Sequence, residues 1–257
     1  MSDAQTHIAN VLIDRIEIRG YDLVDELIGK HSYTEMVFFL LRDRFPTPAE
    51  TKALDAVLVT LMEHGLTPSA LIARLAAHSV PSEVQVAMTA GLVTVGNVFA
   101  GTMEDCARLL KLGVASGEPA ADYCERLVRD YRERRAPVPG FGHPHHKPDD
   151  PRTPRLLDIA RESGLAGRYV EFLLTLSAVV DRLYQKHLTI NATGMIGALL
   201  LEMGFEPDIM RGLAVISRAG GLLAHVQEEQ QTDSVRALRK AARDSIPYVA
   251  PEPKKHR

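Results

Sequence analysis

Apolar residues along this chain recur at helical spacing. Leu54, Val57, Leu58 and Leu61 form one set, Tyr169, Leu173, Leu176, Val180 and Leu183 a second, and Ile209, Leu213, Ile216, Gly220 and Leu223 a third. Each set lies on one side of a helix with 3.6 residues per turn and predicts a buried stripe. Helix starts are legible too. Ser32 precedes Glu35 by three residues, and Thr47 precedes Glu50 by three with Pro48 at the first helical position, so both read as capping boxes. Thr67-Pro68 and Thr153-Pro154 repeat the device. Proline is absent from Ser82 to Glu118 and from Arg155 to Glu206, which marks these as the longest candidate helical regions. Alternating strand patterns joined by Asn-Gly turns are missing, and the predicted fold class is all-α.

One segment interrupts the helical regime. Ala136 to Pro151 is crowded with proline and glycine (Ala-Pro-Val-Pro-Gly-Phe-Gly-His-Pro-His-His-Lys-Pro-Asp-Asp-Pro) and must be a shaped loop. A loop this long inside a folded domain is commonly functional, and its glycines allow a backbone to approach a ligand closely.

Composition narrows the class. With 257 residues and 46% apolar content the chain can bury a substantial core. Its net charge of −3, with both signs intermixed, gives no field that would attract nucleic acid or an anionic membrane. Met1 to Arg15 lacks a signal-peptide core, and no stretch reads as the ~20 apolar residues of a membrane span. Cys106 and Cys124 lie in helical pattern, which suits reduced thiols, so a cytoplasmic location is expected. His143, His145 and His146 cluster without the spacing of a closed zinc site, and no metal is expected. Arg126, Arg129, Arg132, Arg134 and Arg135 read as a solvated helix face just before the loop, placed where they could also meet phosphates.

Pro139-Gly140-Phe141-Gly142-His143, followed by Asp150-Pro151-Arg152, resembles the PGFGH…DPR signature of the citrate synthase superfamily and its citryl-CoA lyase branch. Ile16 to Tyr21, Ser32 to Leu41, Phe45-Pro46, Glu63-His64-Gly65, Gly91 to Gly96, Ala100-Gly101 and Arg218 to His225 follow in the family's order. Ile246 to Val249 closes the chain in a way similar to the lyase domain of ATP-citrate lyases. The resemblance implies a helical fold over 1–257, with a large domain of about 1–115 and 205–250 and a small domain of about 116–204 carrying a CoA loop. It also implies a homodimer, with an acyl-CoA and a small carboxylic acid as partners.

Carried over residue by residue, the resemblance makes His143 the acid or base at the oxygen of the reacting carbon. Val138, Pro139, Gly140, Phe141 and Gly142 would hold the CoA adenine through backbone groups, with His145, His146 or Lys147 standing in for the arginine that usually follows the signature histidine. His64, Arg74 and Arg218 would meet the carboxylate substrate, for which the planar fork of arginine is suited. Two departures matter. Phe99 stands where synthases have a histidine, as it does in the lyase domain of ATP-citrate lyases. The family's Asn-Val-Asp reads Asn191-Ala192-Thr193, so the aspartate base at the thioester α-carbon is missing. The arginine after the signature histidine is Pro144, and another near the C-terminal helix end is Gln231.

The expected activity is cleavage of a 3-hydroxy-acyl-CoA of the citryl-CoA type into acetyl-CoA and a 2-oxo acid. His143 would take the hydroxyl proton, dipoles near Asn191 and Gly194 would hold the enolate, and water or Thr193 would quench it. Condensation or thioester hydrolysis on another acyl-CoA, and a non-catalytic CoA binder, stay open.

Overall fold

Leu54, Val57 and Leu58 are buried, as are Tyr169, Leu173, Leu176 and Val180, so the first two stripes are core faces. They belong to α2 (Pro48–Met62) and α8 (Arg168–Tyr184) of a helical fold, seen in a computed structural model that describes residues 4–96 and 101–250. The other helices are α1 (Tyr33–Arg42), α3 (Pro68–Ser79), α4 (Val84–Leu92), α5 (Gly101–Ala115), α6 (Ala120–Glu133), α7 (Arg152–Glu162), α9 (Ala192–Glu202), α10 (Pro207–Thr232) and α11 (Ser234–Ser245). The Phe99 substitution lies outside the described residues.

The chain divides into two compact units. Unit 1 holds 1–60 and 97–214, and unit 2 holds 61–96 and 215–257, with two of the three cuts falling inside α2 and α10. In unit 1, α5 packs on α8 and α9, α6 on α8, and α7 on α9. The last of these, α9, is buried continuously from Gly194 to Leu201, the all-round apolar pattern of a central core helix. Gly197 makes the α5 contact possible, because a Cβ there would stand 2.9 Å from the Met103 carbonyl oxygen. Unit 1 also stacks Phe39 on Phe45 at 4.3 Å and sets Phe38 edge-on to Phe205 at 5.4 Å. In unit 2, Ala70, Ala73 and Ala77 of α3, Ala87 of α4, and Leu222 and Val226 of α10 make one core, with small side chains that let helices approach closely.

Both capping boxes form. Ser32 Oγ accepts from Glu35 N while Glu35 accepts from Ser32 N; Thr47 and Glu50 reciprocate in the same way, at 3.2 and 2.8 Å. The other two starts differ. Thr67 caps α3 without a side-chain hydrogen bond, and α7 begins before Thr153, whose hydroxyl donates to Ile190 O.

Three further expectations are corrected. The third stripe is out of phase: Met210, Leu213, Ala214, Ser217, Leu222 and Val226 are buried in α10, whereas Ile209 and Leu223 are exposed. The proline-free stretches hold several shorter helices, and the longest described helix is α10, which begins at Pro207. A small antiparallel sheet was not anticipated; it runs in the order β1 (Ala9–Val11), β2 (Ile16–Ile18), β3 (Tyr21–Asp22) and joins through left-handed Arg19 and Gly20. Among the described residues, α10 is the one helix long and apolar enough to cross a membrane by length and mean hydropathy. Its Arg211 and Arg218 and its buried apolar positions fit a core helix.

Candidate active site

In unit 1 the loop begins with a turn that its sequence dictates. Phe141 N donates to Val138 O at 3.3 Å, with Pro139 and Gly140 at the corners and Gly140 at φ +87°. This is the type II arrangement, in which proline supplies the first φ and glycine the positive second one. Gly140 is required for a second reason, since a Cβ would stand 2.6 Å from Cys106 Sγ and 3.0 Å from Gly194 Cα. Gly194 faces back with the same constraint, its virtual Cβ 2.6 Å from Gly140 O. Two glycines 54 positions apart thus allow loop and helix α9 to touch backbone to backbone.

The contact is then locked. Asn191 N donates to Gly140 O, Gly142 N donates to Thr189 O, and Phe141 pairs with Ile190 in an antiparallel bridge. The Asn191 side chain works at both ends: Nδ2 donates to Gly142 O at 2.9 Å, while Oδ1 caps α9 by accepting from Gly194 N at 3.0 Å and from Thr193 Oγ1 at 2.7 Å. Such a cap contributes about 1 kcal/mol.

His143 emerges from this anchored turn. Its Nδ1 accepts from the backbone N–H groups of His145 (3.1 Å) and His146 (3.0 Å), and its ring stacks on His146 at 4.3 Å. Two donors on Nδ1 assign a neutral ring with its proton on Nε2. That Nε2 lies 3.5 Å from Arg152 Nη2. Two donors this close suit an oxygen placed to accept from both.

Arg152 is itself fixed by Asp150, with Nε donating to Oδ1 at 2.9 Å and Nη2 to Oδ2 at 2.7 Å. Asp150 is fully buried and also accepts from Arg152 N and Ala192 N, tying the starts of α7 and α9 together. Burial pushes its carboxyl up, but the hydrogen bonds from the Arg152 side chain and from Ala192 N and Arg152 N outweigh it, bringing the pKa down to about 2. Asp150 is therefore a fixed anion, not a base.

Unit 2 carries a second cluster. His64 is exposed just past α2, and its N–H donates to Glu63 Oε1. Glu63 Oε1 is 3.1 Å from His225 Nε2, and Glu63 Oε2 is 3.6 Å from Arg218 Nη1. That Nη1 is buried without a hydrogen-bond partner among the described residues, and burial lowers the Arg218 pKa against the opposing pull of Glu63. An unsatisfied buried guanidinium nitrogen suits a carboxylate ligand.

Arg74 differs. It is 3% exposed, and it donates from Nε to His225 Nδ1, from Nη1 to Glu229 and Ser234, and from Nη2 to Glu228. Engaged in this way, Arg74 orients His225 and holds α10.

Other expectations change. Gly194 N and the Asn191 amide, expected to hold an enolate, are engaged within the fold. Thr193 Oγ1 donates to Asn191 Oδ1, so the hydrogen bond with Thr102 Oγ1 at 2.9 Å uses the Thr102 proton. Val138 O, Phe141 N, Gly140 O, Gly142 O and Gly142 N are also used internally. Lys147 is exposed in the loop. Asp150, Arg152, Glu63 and His225 were not singled out, although each lies in a quoted motif; their types alone did not reveal their partners.

Residues 44–241 match the family described as citrate synthase, C-terminal domain. Among curated relatives, the citrate synthase of Synechocystis is 25% identical over 80% of this chain and 52% of its own length. Citrate synthase 2 of Bacillus subtilis is 25% identical over 88% and 58%. The chain thus spans about half the length of these relatives. Among solved structures, citryl-CoA lyase from Hydrogenobacter thermophilus superimposes with a TM-score of 0.88, 33% identity, and 99% and 98% coverage of the two chains. ATP citrate lyase from Methanothrix soehngenii, in complex with citrate and coenzyme A, gives 0.79 at 20% identity, covering all of this chain and 43% of that one, a likeness of fold.

Proposed function

Because this chain belongs to the citrate synthase family, in its citryl-CoA lyase-like branch, we propose that it cleaves a 3-hydroxy-acyl-CoA of the citryl-CoA type into acetyl-CoA and a 2-oxo acid such as oxaloacetate. The observation that carries this reading is the His143–Arg152 donor pair, held at 3.5 Å by an anchored turn and a buried carboxylate. Likeness over the full length of a citryl-CoA lyase, at 33% identity, supports the direction.

In this reading the substrate oxygen sits between His143 Nε2–H and the Arg152 guanidinium. As the carbon–carbon bond breaks, the hydroxyl proton passes to water, the oxygen becomes the carbonyl of the 2-oxo acid, and the bond's electron pair moves to the thioester as an enolate. Water then protonates the enolate carbon. His143 acts as a positioned donor to the oxygen, a role its tautomer supports better than that of a base. Preorganised donors of this kind contribute roughly 10²–10³ each in rate. Lys147 would meet the CoA phosphates.

Thr193 favours a second reading. With a hydroxyl where the family has its aspartate, the chain is a poor catalyst of enolisation, which suits a CoA-binding homologue without turnover or a different acyl-CoA chemistry. Incubation with citryl-CoA distinguishes these: the lyase reading predicts oxaloacetate and acetyl-CoA in equal amounts, hydrolysis releases CoA without a 2-oxo acid, and a binder leaves the thioester intact.

A further inference from the structure

Most arginines in this chain face a carboxylate: Arg44, Arg108, Arg126, Arg129, Arg152 and Arg182 each do. Three in unit 2 do not. Arg236, Arg239 and Arg243 have no ion-pair partner among the described residues, and with His78 of α3, Asp233 and Ala242 they line a cleft of about 700 Å³. Spaced three and four apart, they fall on one face of α11; Lys240, beside Arg236 on the edge of that face, is paired with Asp244 and does not line the cleft. Asp233 is the one carboxylate lining the cleft, and its Oδ1 faces His78 Nδ1 at 3.2 Å.

Three like charges on one face repel one another unless a counter-charge sits among them. From Arg236 to Arg243 the helix rises about 10 Å, a span that two or three linked phosphates fill better than one small anion. Each guanidinium presents a planar fork that matches phosphate oxygens at two points.

We propose that this cleft binds a small polyphosphate, a run of two or three linked phosphates, either inorganic or carried by a nucleotide. The site belongs to α3 and α11 and does not depend on the lyase reading.

Calorimetric titration of the full chain with inorganic tripolyphosphate, at constant ionic strength, tests it. One site per chain is expected, at least about tenfold tighter than for sulfate, since several charge-assisted hydrogen bonds act together. Arg239→Gln with Arg243→Gln should weaken tripolyphosphate by roughly tenfold or more, and Arg236→Gln alone by a smaller factor. These side chains are exposed, so an unchanged melting temperature checks that the variants fold. Displacement of tripolyphosphate by CoA would identify the carrier's own nucleotide as the source, and displacement by ATP but not CoA would identify a free nucleotide. Equal affinity for sulfate and tripolyphosphate, or undiminished binding in the folded double variant, would overturn the proposal.

Discussion

At residue scale, Thr193 stands where the sequence resemblance expects an aspartate. A base that removes or returns an α-proton is typically worth ~10²–10⁴ in rate, and Thr193, whose proton is held by Asn191, offers nothing equivalent. Thr193→Asp is expected to raise deuterium exchange into the methyl group of acetyl-CoA by about that range, read by mass spectrometry; no gain would show that enolisation here does not depend on this position. Gly194→Ala makes a sharper structural test. Its new Cβ would stand 2.6 Å from Gly140 O, backbone that cannot swing aside, so a loss of roughly 1–3 kcal/mol is expected in denaturant unfolding. None of these couplings was legible residue by residue. The signature located His143 and Arg152, but the ties of Asn191 to Gly142, of Asp150 to Ala192 and of Arg74 to α10 join positions far apart in the chain, which no local pattern encodes.

At element scale, legibility followed length. The α2 and α8 stripes were readable because four or five apolar positions repeat in phase, and the caps at Ser32 and Thr47 because both members sit within one turn. The sheet escaped because its strands are two or three residues long, too short for alternation to register. The phase of α10 was misread because Ile209 and Leu223 are apolar yet exposed, while small residues, Ala214 and Ser217, take the core side.

The active loop also has a pH-sensitive tie. His187, just after α8, places Nδ1 2.6 Å from Asp181 and Nε2 2.9 Å from Asp149 in the loop. Hydrogen bonds to Asp181 first and Asp149 second raise its pKa. A raised histidine contributes below its unfolded value, near 6.5, and that contribution is lost as pH rises through the folded value. Amide exchange in the loop around Asp149, corrected for intrinsic rates, should therefore quicken with rising pH in the wild type and lose that step in His187→Gln. Asp150 has the opposite sign: with its folded pKa near 2, its stabilisation is present above about pH 4 and is lost as pH falls toward 2. Asp150→Asn should flatten the acid limb of the stability profile, and an unchanged limb would mean that other carboxylates set it.

At the scale of the whole molecule, Ile8, Val11, Leu12, Ile13, Val24 and Ile28 are exposed around the N-terminal sheet. The homodimer expected from the sequence resemblance would give such side chains a surface to pack against. Light scattering should give twice the 28.3 kDa chain mass for the wild type, and Ile13→Asp should shift it toward the monomer.

In the lyase reading His143 and Arg152 jointly hold the hydroxyl oxygen on the carbon whose bond breaks, and single-turnover cleavage of citryl-CoA tests that most directly. The wild type should release oxaloacetate, His143→Gln and Arg152→Gln should each slow that release by about 10²–10³, and CoA binding should persist in both. Oxaloacetate released by either variant at the wild-type rate would contradict it.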